Sequence, residues 1–226
     1  AQRRLEALLS EKEFLIKEIH HRTKNGLQIV SSILALQSHR TKDPTVILAF
    51  ESMRNRIRSI SLVHEKLHGS ATGEYLDLRD YVGDLVRQLA ASFGAESEGL
   101  RLSVEAESIP SPMDFCADFG LMLTELVTNS FRHSVMPRGQ GQVRVKIARE
   151  DEGAIALVED DGPGFPTEMR PEKADSLGFR IVTSFARKWG CELEYSKQGS
   201  ARVSIHIPAR ALKKAEEPSR VPVERG

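Results

Sequence analysis

Residues 123–133 read Leu-Thr-Glu-Leu-Val-Thr-Asn-Ser-Phe-Arg-His, and they lie in a long, largely apolar helix predicted over Phe115–Val135. Glu125 and Asn129 are four residues apart, so they share one face of this helix. The amide oxygen of Asn129 is a suitable ligand for Mg²⁺, which keeps water and phosphate oxygens as its other ligands. Arg132, one turn further on, is placed to reach a phosphate. Taken alone, the same pattern also fits a polar edge on a buried helix.

Two glycine-containing segments follow this helix. Residues 158–165 read Val-Glu-Asp-Asp-Gly-Pro-Gly-Phe and leave a predicted strand. Glycine lets the backbone approach a flat ligand, and a buried carboxylate at Asp160 could accept a hydrogen bond from the exocyclic amino group of adenine. Residues 176–182 read Ser-Leu-Gly-Phe-Arg-Ile-Val and begin a helix, with Gly178 near an N-terminus suited to phosphate. Ordinary turns and helix starts also show these patterns, so their order and spacing make the case for a nucleotide site.

In order and spacing, the three segments resemble the N, G1 and G2 boxes of the GHKL ATP-binding fold. Histidine kinases share this fold with Hsp90-like chaperones, type II topoisomerases and MutL-like repair proteins. The resemblance covers Leu76–Pro208 and implies ATP and Mg²⁺ as cofactors. It implies that Glu125 is the acidic catalytic residue of the N box and that Asn129 holds Mg²⁺ through ATP. The ATP site that it implies consists of Asn129, Arg132, His133, Asp160, Gly162, Gly164, Leu177 and Gly178.

This sequence departs from the usual pattern next to the third segment. Many histidine kinases have extra glycines before the Leu-Gly step, whereas Asp175 and Ser176 precede it here. The lid between Phe165 and Ser176 is also short. Both departures concern the phosphate contacts of the lid and leave the expected adenine contact unchanged.

The surrounding segments predict an α+β domain over residues 77–210. Asp77 is expected to cap a helix that runs to about Phe93, and Ser176–Trp189 is a second predicted helix. Short alternating segments predict strands at Leu100–Glu105, Val143–Ala148, Ala154–Val158, Glu192–Tyr195 and Arg202–Ile207. We therefore expect a GHKL-type α/β sandwich, in which a mixed sheet is covered by helices on one face.

Residues 1–69 predict a helical hairpin. Asp43-Pro44 is a typical start for its second helix. Heptad spacing in its first helix joins Ile16, Ile19, Thr23, Gly26, Val30, Ile33 and Gln37. A hairpin cannot bury both apolar faces alone, so we expect a homodimeric four-helix bundle, with packing on the chain's own ATP-binding domain as the alternative. Residues 70–76 are predicted to be a linker, and residues 211–226 a disordered tail.

Residues 18–28 read Glu-Ile-His-His-Arg-Thr-Lys-Asn-Gly-Leu-Gln and resemble the phosphoacceptor box of the HisKA_2 histidine kinases, close relatives of the HWE group. In these kinases an arginine follows the acceptor histidine, and a Lys-Asn pair comes soon after. The heptad register also predicts that His20 is partly covered and that His21 points outward. We therefore expect His21 to be the phosphoacceptor, with His20 as the alternative. Arg22 and Lys24 are expected to offset charge on the transferring phosphoryl group.

Together the two resemblances imply the catalytic core of a sensor histidine kinase. Such a core phosphorylates its own histidine with ATP, in cis or across the dimer, and passes the phosphoryl group to an aspartate of a response-regulator receiver domain. Two alternatives remain: a dimeric scaffold that binds nucleotide without catalysis, and a GHKL ATPase. The ATPase alternative leaves the His-His-Arg segment on a bundle helix unexplained.

Composition narrows the class of protein. Lys+Arg and Asp+Glu both number 32, and this balance disfavours a nucleic-acid binder that works through a strongly basic surface. Cys116 and Cys191 lack metal-binding spacing and are expected to be reduced thiols, which suits a cytoplasmic protein. Ala1–Leu15 is charged and unlike a signal peptide, and no apolar run approaches the ~20 residues that span a bilayer. We also expect the sensor domain to lie outside this chain.

Overall fold

The computed structural model describes residues 2–67, 75–94, 99–165, 176–196 and 199–213. Its N-terminal part is a hairpin of two helices, α1 (Gln2–Arg40) and α2 (Pro44–Leu67). The second helix begins as predicted, because a side-chain oxygen of Asp43 accepts a hydrogen bond from the backbone amide of Thr45 at 2.8 Å. Residues 68 and 69, the end of the predicted hairpin, lie outside the described residues.

The remaining described residues form one α+β domain. Its helices are α3 (Leu78–Ser92), α4 (Met113–Ser130), α5 (Met136–Arg138) and α6 (Leu177–Trp189). Its strands are β1 (Tyr75–Asp77), β2 (Leu100–Ala106), β3 (Pro110–Pro112), β4 (Gly141–Glu150), β5 (Gly153–Asp160), β6 (Glu192–Tyr195) and β7 (Arg202–Ile207). A π-helical turn, Phe131–Val135, joins α4 to α5, and a 3₁₀ turn, Ala209–Leu212, follows β7.

The main sheet has five strands in the order β2-β4-β5-β7-β6. Strands β2 and β4 are parallel, and each other neighbouring pair is antiparallel. Side chains of β4 and β5 alternate between buried and more exposed positions, and the buried set packs with α3, α4 and α6 in one core. The predicted mixed sheet covered by helices is confirmed. A separate two-stranded ribbon pairs β1 with β3.

Three stretches differ from the sequence-based expectation. Tyr75 and Leu76, the end of the predicted linker, pair with β3 as part of the α+β domain. Ala211 and Leu212, the start of the predicted tail, are buried in the 3₁₀ turn. The helix predicted through Val135 changes at Phe131 into a π-helical turn. Residues 70–74 and 214–226 lie outside the described part of the chain.

The hairpin docks on the α+β domain through α2. Leu62 and Val63 of α2 belong to the domain's hydrophobic core. The hydroxyl of Tyr81 donates a hydrogen bond to the backbone carbonyl of Ser59 at 3.2 Å. This packing is the alternative that the sequence left open, and in it α2 lies between α1 and the domain.

The heptad stripe of α1 does not face α2. Ile16, Ile19, Val30 and Ile33 are 38%, 61%, 46% and 51% exposed in the single chain. The half-buried Leu27 belongs instead to the side of α1 that faces α2 and α3, where it lines a groove with Leu62. Helix α1 therefore has two apolar sides, and the hairpin covers one of them.

Both cysteines are buried and unpaired. Burial raises the pKa of the Cys116 thiol to about 12 and that of Cys191 to about 11. Within the described residues, no helix combines the length and apolar character needed to cross a membrane.

Candidate active site

A cavity of about 780 Å³ opens between α4, the end of β5 and the start of α6. Its volume is within the range of small-molecule sites, which is about 300–1,000 Å³. Most of the residues predicted for the ATP site line it, namely Asn129, Arg132, His133, Asp160, Gly164, Leu177 and Gly178. Glu125 lines it as well, whereas Gly162 lines a neighbouring depression that shares Asp160. The fold thus gathers three sequence segments around one cavity.

Asp160 is the last residue of β5 and is 2% exposed. One of its carboxylate oxygens accepts a hydrogen bond from the backbone amide of Gly162 at 2.9 Å. Gly164 has a φ of 83°, which favours glycine, and a Cβ there would overlap the carbonyl oxygen of Gly199. This turn therefore requires glycine, and it keeps a buried hydrogen-bond acceptor on the cavity wall.

The polar residues of α4 face the cavity from an otherwise apolar helix. Thr128 is buried, and its hydroxyl has no hydrogen-bond partner among the described residues. The π-helical turn follows at once and contains Arg132 and His133, both of which line the same cavity. Single π-helical turns inside helices occur frequently at functional sites.

Helix α6 begins at the opposite wall. The side-chain oxygen of Ser176 accepts a hydrogen bond from the amide of Phe179 at 3.4 Å and caps the helix. A Cβ at Gly178 would lie 2.7 Å from a carboxylate oxygen of Glu125, so a larger residue there would require the Glu125 side chain to shift. The first-turn amides of α6 at Leu177 and Gly178 are thereby placed at the cavity, as an anion site requires.

Glu125 has a partner that the sequence analysis missed. The guanidinium of Arg56 holds its carboxylate with two hydrogen bonds, Nε to Oε1 at 2.5 Å and Nη2 to Oε2 at 3.0 Å. The two side chains are 18% and 5% exposed. Arg56 comes from α2 and lines the cavity, so the hairpin contributes directly to this site. Because the two residues are 69 positions apart, no local sequence pattern links them. The only sequence signal for the pairing was a charged residue in the middle of a packed helix.

The two adjacent histidines of α1 have different surroundings. His20 is half-buried, and its Nδ1 lies 2.9 Å from Nδ1 of His64 on α2, so one ring donates a hydrogen bond to the other. Burial, with a smaller effect from His20, lowers the pKa of His64. His21 is exposed, and its Nδ1 lies 3.4 Å from the side-chain nitrogen of Asn25. The predicted difference between a covered and an exposed histidine is therefore present in the fold.

The basic residues next to His21 are engaged in ion pairs. Arg22 donates to Glu18 at 2.6 Å, and this hydrogen bond and the arginine charge hold the pKa of Glu18 below its ordinary value. Lys24 pairs with Glu65 of α2 at 3.1 Å. His21, Arg22 and Lys24 are not among the described residues that line the cavity. In this conformation the segment around His21 is therefore not part of the cavity lining.

Two family models match consecutive parts of the chain. Residues 18–93 match the HisKA_2 histidine kinase model. Residues 117–211 match the model for histidine kinase-, DNA gyrase B- and HSP90-like ATPases.

Curated relatives and a solved structure agree with these matches. Sensor histidine kinase PdtaS of Mycobacterium tuberculosis is 34% identical over 182 residues, which are 80% of this chain and 36% of that protein. Blue-light-activated histidine kinase 2 of Erythrobacter litoralis is 27% identical over 199 residues, 85% of this chain and 56% of that protein. The chain therefore spans between a third and three fifths of these relatives. The histidine kinase domain from the Erythrobacter litoralis EL346 blue-light activated histidine kinase superposes with a TM-score of 0.66 at 23% identity, covering 82% of this chain and 97% of that one.

Proposed function

The chain belongs to the HisKA_2 sensor histidine kinases, and we propose that it binds Mg·ATP, phosphorylates His21 and passes the phosphoryl group to an aspartate of a response-regulator receiver domain. One observation carries this proposal. A single cavity gathers Asn129, Asp160 and Gly178, and an exposed His21 stands on the hairpin of the same chain.

Each wall of the cavity suits a different part of the nucleotide. Asp160 would accept a hydrogen bond from the adenine amino group, because its buried carboxylate can only accept. Arg132 and the first-turn amides of α6 would contact the phosphates. Asn129 would hold Mg²⁺, which neutralises phosphate charge when it is bound.

Phosphoryl transfer forms a nitrogen–phosphorus bond at His21. The ring nitrogen that carries no proton attacks the γ-phosphorus, the bond to the β,γ-bridging oxygen breaks, and ADP leaves while the imidazole loses its other proton to solvent. Positioning and charge neutralisation supply most of the catalysis in such a step. Because His21 lies outside the cavity in this conformation, transfer requires either a movement of the ATP-binding domain or the cavity of a second protomer.

A homodimer is part of this proposal. The exposed heptad stripe of α1, Ile16, Ile19, Val30 and Ile33, is the surface that a second hairpin would cover. Two hairpins joined there form a four-helix bundle, in which a/d-type positions pack against one another. The receiver domain would then dock beside His21 on the outside of the bundle. A cytoplasmic location follows from the proposed partner, and the sensor domain would belong to a longer protein.

Labelling with γ-labelled ATP and Mg²⁺ tests the proposal, with nucleotide binding measured in parallel. Wild type is expected to gain acid-labile, alkali-stable label. Asn129→Ala is expected to lose the label through lost Mg²⁺ binding, and Asp160→Asn is expected to lose adenine recognition and therefore affinity. ATP binding without label would favour the non-catalytic scaffold. Release of inorganic phosphate without protein label would favour the ATPase.

A further inference from the structure

We propose that Arg56 is a positioning residue of the nucleotide site, which neutralises Glu125 so that the triphosphate of ATP can occupy the cavity. The inference rests on the proposed function, since it places ATP in this cavity. It assigns a role in nucleotide binding to a residue of the hairpin, outside the three boxes that form the rest of the site.

The contact has the geometry of a strong ion pair. Two hydrogen bonds of 2.5 Å and 3.0 Å join the guanidinium of Arg56 to the carboxylate of Glu125. The carboxylate is almost fully buried, at 5% side-chain exposure, and the guanidinium is 18% exposed. When an arginine and a carboxylate are joined by two hydrogen bonds in this way, the bonds are shorter and stronger than hydrogen bonds between neutral groups. Both residues also line the cavity.

Glu125 stands where an unpaired negative charge opposes phosphate binding. A carboxylate oxygen lies 2.7 Å from the Cβ position of Gly178, in the first turn of α6. The phosphates are expected at this helix start, so they and the carboxylate would share one poorly hydrated corner. Charges interact there far more strongly than in water. Removal of Arg56 alone therefore leaves a buried, uncompensated carboxylate beside the phosphate position.

The origin of Arg56 in α2 couples the nucleotide to the hairpin. The same helix is held on the ATP-binding domain by Leu62 and Val63 in the core and by the hydrogen bond from Tyr81 to Ser59. Any movement that withdraws α2 separates Arg56 from Glu125. Because linkage is reciprocal, ATP binding then favours the docked hairpin as much as the docked hairpin favours ATP binding.

Equilibrium titrations with ATP, ADP and adenosine test this role. Four variants of the full chain are needed beside wild type: Arg56→Ala, Arg56→Lys, Glu125→Gln and the double variant Arg56→Ala/Glu125→Gln. Arg56→Ala is expected to weaken ATP binding about tenfold or more, which corresponds to at least about 1.4 kcal/mol, and to leave adenosine binding nearly unchanged. The ATP affinity of Arg56→Lys is expected to lie between those of wild type and Arg56→Ala, because lysine keeps the charge and loses the two-bond geometry. The double variant is expected to regain most of the ATP affinity, since the neutral amide that replaces the carboxylate needs no counter-charge.

Arg54→Ala is the matched control. It removes the same charge from the same helix, and Arg54 is not among the described residues that line the cavity. Equal losses for ATP and adenosine in Arg56→Ala, or no recovery in the double variant, would show a purely structural role and overturn the inference. Unchanged ATP affinity in Arg56→Ala would overturn it as well. Failure of wild type to bind ATP would instead reject the proposed function itself.

Discussion

The two helices of the hairpin share a spacing of apolar residues and differ in what covers those residues. Leu62 and Val63 of α2 are 5% and 1% exposed, because α2 is part of the core of the ATP-binding domain. On α1, Ile19 and Leu36 are 61% and 65% exposed. Both helices carry apolar residues at helical spacing, yet only α2 contributes apolar side chains to the hydrophobic core of the α+β domain.

From this difference we infer that the two helices have separate roles. Helix α2 joins the hairpin to the nucleotide site, through the core and through Arg56. Helix α1 carries the proposed acceptor, His21, and the apolar stripe available to a second copy. A residue of α2 should therefore affect folding and nucleotide binding, whereas a residue of the α1 stripe should affect assembly.

Truncation of a buried leucine on α2 should produce the largest change in stability. Leu62→Ala is expected to lower the free energy of unfolding by about 2–5 kcal/mol, because it leaves a cavity in a packed core. Leu36→Ala on α1 is the matched control and is expected to change it by less than about 0.5 kcal/mol in the monomer. Urea unfolding of both variants checks this. Equal losses would mean that α1 is as integral to the folded chain as α2.

Polar substitution of the α1 stripe should change assembly and leave the fold intact. Ile19→Ser with Ile33→Ser is expected to weaken the dimer at least tenfold, since apolar area at the bundle interface is lost. Sedimentation velocity over a range of concentrations measures the change. Met136→Ser, which alters a 50% exposed apolar residue of the ATP-binding domain, is the control. A wild-type chain that stays monomeric at every concentration would contradict the proposed bundle.

The ion pair between Lys66 of α2 and Asp84 of α3 should make a small, pH-dependent contribution to the free energy of unfolding. Burial raises the pKa of Asp84, but the hydrogen bond and charge of Lys66 and the charge of Arg87 outweigh it, so the pKa lies below its ordinary value of 3.8. A lowered folded-state pKa means that the stabilisation is present above 3.8 and is lost as the pH falls through the folded value.

Comparison of wild type with Asp84→Asn measures the combined effect of the ion pairs that Lys66 and Arg87 make with Asp84. Wild type is expected to be more stable by about 0.5 kcal/mol near neutral pH, and the difference should vanish in acid. Urea unfolding at both pH values measures it. A difference of the same size at both values would show that packing, rather than charge, explains the effect of the substitution.

Local signals were enough to predict much of the fold and the cavity. The Asp43-Pro44 start of α2, the capped start of α6 at Ser176 and the glycine-rich turn after Asp160 each depend on a few neighbouring residues. Their geometry can therefore be predicted from the sequence. The cavity could be anticipated because the spacing of its three segments resembles a known fold.

Tertiary contacts explain what the sequence analysis missed. The pairing of Arg56 with Glu125 depends on how α2 docks against α4, and local periodicity contains no information about that docking. The side of α1 that is left exposed likewise depends on a tertiary contact, the packing of α1 on α2. The π-helical turn at Phe131 likewise follows helix-forming residues that give no local sign of it.

Mapping the label on wild type, His20→Ala and His21→Ala after incubation with γ-labelled ATP and Mg²⁺ tests the central claim most directly. We predict acid-labile label on wild type and His20→Ala and none on His21→Ala, with ATP affinity the same in all three. Label that persists in His21→Ala and disappears in His20→Ala would contradict the assignment and make the half-buried histidine the acceptor. Label on none of the three, with ATP bound to each, would contradict the kinase activity itself.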